Sequence, residues 1–121
     1  MLSPLEKAVL DLMLDKPGEP FDTAREQLAC AIVSKRQFTG VGFFTHFVLP
    51  PDAPVRRDLP DATIGDVGAQ FPTLKNGAGF LLFIRGGVIT MLEGYTYDEA
   101  WPTDTDSFKV EKVKVTKIPK R

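Results

Sequence analysis

Three side chains in this sequence are suited to acid–base chemistry or to binding a charged ligand, namely Glu93, His46 and Arg36. Glu93 directly follows an apolar run, and a carboxylate that is withdrawn from water is a candidate proton acceptor. His46 and Arg36 are then its candidate catalytic partners in a polar site. The alternative interpretation is that Glu93 is a structural acid paired with Arg36 or Arg85.

The only cysteine, Cys30, and the only histidine raise the question of nucleophilic or metal chemistry. A Cys–His pair can form a nucleophilic site, but an apolar stretch around Cys30 is typical of an inert, packed thiol. One cysteine and one histidine cannot close a zinc site, which takes four ligands. We therefore predict no metal and no cofactor, and the scarcity of catalytic side chains favours a protein that is not an enzyme.

A second group of residues has the composition of a protein-binding surface. Residues 93–106 contain five acids and no base, together with two tyrosines and the only tryptophan. The candidate partner-binding residues are Tyr97, Asp98, Glu99 and Trp101, because exposed aromatic rings beside charges are typical of interfaces. Alternatively, Tyr95 and Trp101 pack back on the protein and hold this segment in place, and we expect packing for at least one of them.

The element that must position Glu93 is a β-hairpin. Two apolar runs, residues 80–84 and 88–92, flank Gly86-Gly87, and glycine readily takes the positive φ angles of a tight turn. Alternation along the second strand places Glu93 on one side with Ile89 and Met91.

The remaining pattern predicts one N-terminal helix and several strands. Ser3 is a candidate N-cap, with Pro4 at the first helical position and Glu6 completing a capping box. Residues 21–27 are ambiguous and could form a helical turn. The predicted strands are residues 28–38, 41–49, 64–71 and 109–118 in addition to the hairpin, and residues 50–61, with four prolines, are predicted to be a loop. Alternation along the first strand puts Ile32 and Arg36 on one side.

The predicted fold class is α+β, with an N-terminal helix packed on a mostly antiparallel, curved sheet of about five or six strands arranged as a meander. We expect residues 1–121 to form a single domain. Fifteen basic and sixteen acidic residues nearly cancel, which argues against general binding to nucleic acid or membranes. A lone cysteine, no run of 18 apolar residues and a poor match to a signal peptide favour the cytoplasm.

Two blocks carry a resemblance to other proteins: TGVGFFT at residues 39–45 and LEGYTYDEAWP at residues 92–102. Together with Arg25, Gln27 and Arg36, they resemble a small, uncharacterised bacterial protein family. The resemblance implies a bacterial cytosolic protein with one domain, and it implies no activity.

Three interpretations of function follow. The first is a non-enzymatic protein-interaction module, such as an immunity-like or accessory protein. The second is a small enzyme or ligand-binding protein with a polar site around Glu93, Arg36 and His46. The third is a homodimer that pairs through the final strand, whose lysines suit a sheet edge.

Overall fold

The computed structural model describes residues 1–114, which form two helices followed by six strands. The helices are α1 (Pro4–Met13) and α2 (Phe21–Cys30). The strands are β1 (Ile32–Phe38), β2 (Gly42–Val48), β3 (Ala62–Gln70), β4 (Ala78–Arg85), β5 (Val88–Thr96) and β6 (Lys109–Lys112).

The six strands form one open sheet in the order β1-β2-β5-β4-β3-β6, and every neighbouring pair is antiparallel. The α1 helix packs across β3 and β6, and α2 packs against β5. The predicted α+β class, with an N-terminal helix on an antiparallel sheet, is confirmed. The complete meander is wrong, because the loop at residues 49–61 carries the chain past β5 and β4 to begin β3. Strands β1 and β2, and strands β3, β4 and β5, are neighbours in chain order, but β2 pairs with β5 and β6 pairs with β3.

The α1 helix begins as the sequence predicts. The Ser3 hydroxyl accepts a hydrogen bond from the Glu6 N–H at 3.1 Å, and the Glu6 carboxylate accepts one from the Ser3 N–H at 2.8 Å. This capping box satisfies two N–H groups that a helix start otherwise leaves unpaired. Leu5, Val9 and Met13 recur at helical spacing and are buried on the sheet.

The second helix replaces the beginning of the predicted first strand. Residues 28–30 continue α2, so Cys30 ends a helix and does not lie in a strand, and β1 starts only at the β-branched Ile32. The Glu19 carboxylate accepts hydrogen bonds from the Thr23 N–H at 2.8 Å and from its hydroxyl, which stabilises the helix start. Buried Ala24 and Gln27, three residues apart, give α2 its inner side.

The predicted hairpin is present, and its second strand contains a bulge. Gly86 and Gly87 have φ angles of +60° and +75° at the turn between β4 and β5. Phe83 pairs with Met91 while Ile84 pairs with Ile89, so Thr90 is an extra residue in β5. The bulge turns Ile89 toward the helices, and its predicted position on the same side as Glu93 is wrong.

The core lies between the sheet and the two helices. Its largest fully buried side chains include Leu10 and Met13 of α1, Phe80 and Leu82 of β4 and Leu92 of β5. The sequence predicts a strand at residues 109–118. Its first four residues form β6, which lies at the edge of the sheet as expected, and residues 115–118 lie outside the described residues. Within residues 1–114, neither helix has the length and apolar character needed to cross a bilayer.

Candidate protein-binding site

A cluster of three polar side chains, in which Glu6 and Thr45 are buried and Arg36 is partly exposed, fixes the N-terminus of α1 to the first two strands. The Arg36 guanidinium donates two hydrogen bonds to the Glu6 carboxylate, from Nε at 3.0 Å and from Nη2 at 2.7 Å, and the Thr45 hydroxyl donates a third. Arg36 Nη2 also donates to the Met1 carbonyl at 2.8 Å. Because Thr45 and Arg36 are register partners on β2 and β1, this Glu6–Arg36–Thr45 cluster joins three elements.

The electrostatics of the cluster keep Glu6 ionised although its side chain is buried. Burial by itself raises the pKa of a carboxyl, but the hydrogen bonds from Arg36, Thr45 and Ser3 outweigh it and hold the pKa of Glu6 below its ordinary value. The same pairing raises the pKa of Arg36. A charge-neutral pair joined by two hydrogen bonds is suited to fixing geometry.

The structure does not bring the three candidate catalytic residues together. Arg36 and its register partner Thr45 face the helices, where both bond Glu6. Phe44 pairs with Glu93 and His46 pairs with Met91, so Glu93 and His46 lie on the opposite face. There the His46 ring is 2.7 Å from the Gln37 amide oxygen. Arg36 is therefore separated from Glu93 and His46 by the sheet itself.

Glu93 is buried, as its position after an apolar run suggests. Its register partners are Phe44 on β2 and Leu81 on β4. The arginines considered as structural partners bond elsewhere: Arg36 bonds Glu6, and Arg85 bonds the Ala62 carbonyl and the Thr63 hydroxyl of β3.

The aromatic and acidic segment after β5 is attached to the turn between β1 and β2. The Thr96 N–H donates to the Val41 carbonyl at 2.9 Å, and the Trp101 N–H donates to the Gly40 carbonyl at 2.8 Å. Asp98 takes a positive φ of 62° where the chain reverses. These bonds hold residues 97–101 at the end of the sheet where β1 becomes β2.

Two of the four candidate partner-binding residues have intramolecular roles. The Glu99 carboxylate accepts hydrogen bonds from the backbone N–H groups of Lys75 and Asn76, each at 3.1 Å, and so orders the loop before β4. The Trp101 ring packs edge-on against Phe43 and Phe71, with centroids 5.1 and 5.9 Å apart. The expectation that Tyr95 or Trp101 packs back on the protein is confirmed, since Tyr95 is buried too.

The other two candidates, Tyr97 and Asp98, are exposed, although the Tyr97 ring also packs edge-on against Tyr95, with centroids 5.5 Å apart. They lie at the same end of the sheet as two residues that sequence reasoning missed. Phe38 and Val41, on either side of the turn at residues 39 and 40, are 71% and 51% exposed, and Tyr97 is 42% exposed. We name Phe38, Val41, Tyr97 and Asp98 the turn-end patch. The available signal was an apolar residue on each side of Thr39-Gly40, where turns are usually polar.

A small cleft of about 120 Å³ opens beside this patch. Phe38, Phe43 and Trp101 supply aromatic walls, while Arg36 and Glu6 supply the polar lining. Since Glu6 accepts from four donors, its charge is already satisfied within the protein. The cleft has room for one small apolar side chain and is far smaller than the usual site for a metabolite.

The described part of the chain holds no group of three or more histidine, cysteine, aspartate or glutamate residues that could bind a metal ion. No protein-family model, curated protein or solved structure matches this chain, so the geometry of the turn-end patch is the basis for inferring what the protein does.

Proposed function

We propose that this protein is a non-enzymatic protein-interaction module that binds its partner through the turn-end patch. The observation that carries the proposal is that three large apolar side chains are exposed around one end of the sheet, Phe38 on the helix side and Val41 and Tyr97 toward the opposite side. Scattered exposed apolar residues are normal, but aromatic residues grouped at a rigid edge are typical of binding surfaces.

The rigidity of the patch supports the same function. Val41 and Gly40 are held by hydrogen bonds from residues 96 and 101, and Trp101 is packed in turn on Phe43. A preformed surface loses little conformational entropy on binding, which favours affinity.

Charge around the patch indicates the chemistry of the partner. Asp98 is an exposed member of the patch, and Asp104 and Asp106 are exposed on either side of Thr105, which lines the cleft beside Phe38. Residues 93–106 contain no base. We infer a partner that presents an apolar side chain bordered by lysine or arginine, since complementary charge raises association rates and excludes wrong partners. Two features support a partner in the bacterial cytoplasm. A single cysteine cannot form an internal disulfide, and residues 39–45 and 92–102 resemble a bacterial family.

Site-specific photo-cross-linking in the native cells tests this proposal. A benzophenone amino acid is placed at position 38, 41 or 97, and the matched control is position 55, where Val55 is also exposed, at 37%, but lies in the loop at residues 49–61. We expect one and the same protein to be cross-linked from the three patch positions and not from position 55. Equal labelling from all four positions, or none from the patch, would contradict the proposal.

A second experiment separates the patch from the neighbouring structural residues. Replacing Tyr97 with alanine and Asp98 with asparagine should weaken the cross-linked complex with little loss of stability, since both side chains are exposed and asparagine tolerates the positive φ at position 98. Replacing Glu99 instead should lower stability, because its carboxylate bonds two backbone N–H groups. An unchanged complex in the double variant would count against the patch.

A further inference from the structure

We propose that the outer edge of β1 binds an extended segment of the partner protein, which adds to the sheet as a seventh strand next to β1. This inference rests on the proposed function and specifies how the partner binds. It makes Phe38 the shared residue of two surfaces, the turn-end patch and the free edge of the sheet.

The position of β1 makes it available. Among the strands of residues 1–114 it is the first in the sheet, and there it pairs with β2 on one side only. Six of its seven residues are exposed. An edge strand presents a row of unpaired N–H and C=O groups, which is the surface used when a peptide joins a sheet.

Backbone geometry identifies which groups point outward. The Thr39 N–H donates to the Gly42 carbonyl at 3.0 Å, so Thr39 faces β2. Because inward and outward residues alternate in an antiparallel pair, Gln37 also faces β2, and Phe38 and Arg36 direct their N–H and C=O groups outward. In residues 1–114, no loop backbone or side chain hydrogen-bonds those outward groups.

The other edge of the sheet, formed by β6, has features that protect it against the addition of another strand. The β6 strand has only four residues, and two of them are lysines, Lys109 and Lys112. Short length and lysines are the usual protection of an edge against another strand. On β1 the charge of Arg36 is paired with Glu6, so Lys35 is its only unpaired charge, and a bulge at Ser34 interrupts the half of β1 away from the turn.

The side chains of β1 specify the segment that fits. On the helix side, Phe38 borders the cleft of about 120 Å³, which can take one small apolar side chain from the added strand. On the opposite side, Lys35 calls for an acidic residue in the added strand. At the far end, Ile32 is 59% exposed and offers a second apolar contact. The occupant is therefore an extended segment with apolar residues at both ends and an acid on the Lys35 side.

A second copy of this chain fits the edge less well. Pairing of two β1 strands about their midpoint would place Lys35 opposite Lys35, and like charges directly opposite each other are destabilising. The edge therefore favours a different protein over self-association.

Peptide selection followed by hydrogen exchange tests the inference. A phage-displayed library of random 12-residue peptides is selected against the full chain, and an enriched peptide is added at saturation to ¹⁵N-labelled protein. We expect amide exchange at Arg36 and Phe38 to slow by more than about tenfold, while Gln37, already bonded to β2, is unchanged. Lys35→Glu should weaken peptide binding by about three- to tenfold, and the matched edge variant Lys109→Glu should not.

Three results would overturn strand addition. The first is a selection that enriches no peptide, the second is an enriched peptide that binds without protecting the Arg36 and Phe38 amides, and the third is protection of those amides without peptide as the protein dimerises at high concentration. If peptide binding is lost in the Tyr97→Ala, Asp98→Asn double variant, and the peptide leaves the Arg36 and Phe38 amides of the unaltered protein unprotected, the turn-end patch stands and strand addition fails. If cross-linking from the patch also fails, the proposed function itself fails.

Discussion

Glu6 shows how one residue can serve both local and long-range structure. Its carboxylate closes the capping box of α1 and also accepts hydrogen bonds from Arg36 and Thr45. Removal of Arg36 would leave the buried charge of Glu6 without its ionic partner, which costs more than the pair contributes. The Glu6–Arg36–Thr45 cluster therefore holds β1, and with it the turn-end patch, in a fixed position relative to the helix.

The pKa of Glu6 predicts an acid dependence of stability. Its native pKa lies below the unfolded value, which is about 4.3, so the native state binds fewer protons than the unfolded state in acid. The stabilisation is complete above the unfolded pKa and is lost as the pH falls through the native pKa. We expect Glu6→Gln to lower the free energy of unfolding at pH 7 by about 2 kcal/mol and to flatten its fall below pH 5. Urea denaturation from pH 3 to pH 7 measures both effects.

Asp11→Asn is the matched control for that experiment, because Asp11 is an exposed carboxylate of the same helix whose ion pair within residues 1–114 is with exposed Lys7. Surface pairs of this kind contribute little to stability. If Glu6→Gln and Asp11→Asn gave the same pH profile, the assigned role of Glu6 would be wrong.

The sequence predicted the capping role of Glu6, since Ser3 and Glu6 are three residues apart in a recognisable pattern. It could not predict the bonds to Arg36 and Thr45, which lie 30 and 39 residues away and meet Glu6 only after β1 and β2 pair. The grouping of the candidate catalytic residues was wrong for a similar reason. Arg36, His46 and Glu93 were grouped by chemical type, but the sheet register places Arg36 on one face and the other two on the opposite face.

At the scale of elements, the hairpin was predictable because its signal is local. Two apolar runs around Gly86-Gly87 leave few other folds for that stretch. The bulges at Ser34 and Thr90 have no such signal, since they depend on how neighbouring strands align. Each bulge reverses the alternation beyond it, so Ile32 and Arg36, predicted to share a face, lie on opposite faces.

The end of the hairpin allows a prediction about its two glycines. Both have positive φ, so alanine at either position costs about 1–2 kcal/mol in backbone strain. A Cβ at Gly87 would also overlap the carbonyl group of Arg56, whereas a Cβ at Gly86 has no contact closer than 3.6 Å. We expect Gly87→Ala to lower the free energy of unfolding by about 1–3 kcal/mol more than Gly86→Ala does, as measured by chemical denaturation. Equal losses would show that the loop carrying Arg56 moves aside.

At the scale of the whole molecule, segments distant in sequence are joined by a few buried polar groups and rings. The Gln27 side-chain amide donates to the Pro54 and Gly87 carbonyls, at 2.8 and 2.7 Å, and its oxygen accepts from the Ile89 N–H at 2.9 Å. One side chain thus connects α2, the long loop and the hairpin. Nothing local in the sequence distinguishes Gln27 from an ordinary surface glutamine.

Trp101 allows a direct test of whether the segment after β5 unfolds together with the sheet. It is the only tryptophan, so its fluorescence reports one position, and its ring contacts Phe43 of β2, Phe71 and Phe80 of β4. Because these contacts belong to the same core as the helices, we expect urea unfolding followed by Trp101 fluorescence to coincide with unfolding followed by far-ultraviolet circular dichroism.

A core variant sharpens that test, since it should move both curves together. Phe43→Leu removes the ring nearest to Trp101 and should lower the free energy of unfolding by roughly 1.5 kcal/mol in both measurements, with the slope unchanged. If fluorescence changed at a lower urea concentration than circular dichroism, residues 97–101 would detach before the sheet unfolds. The turn-end patch would then be a surface that assembles on binding, and its affinity would include the free energy of ordering that segment.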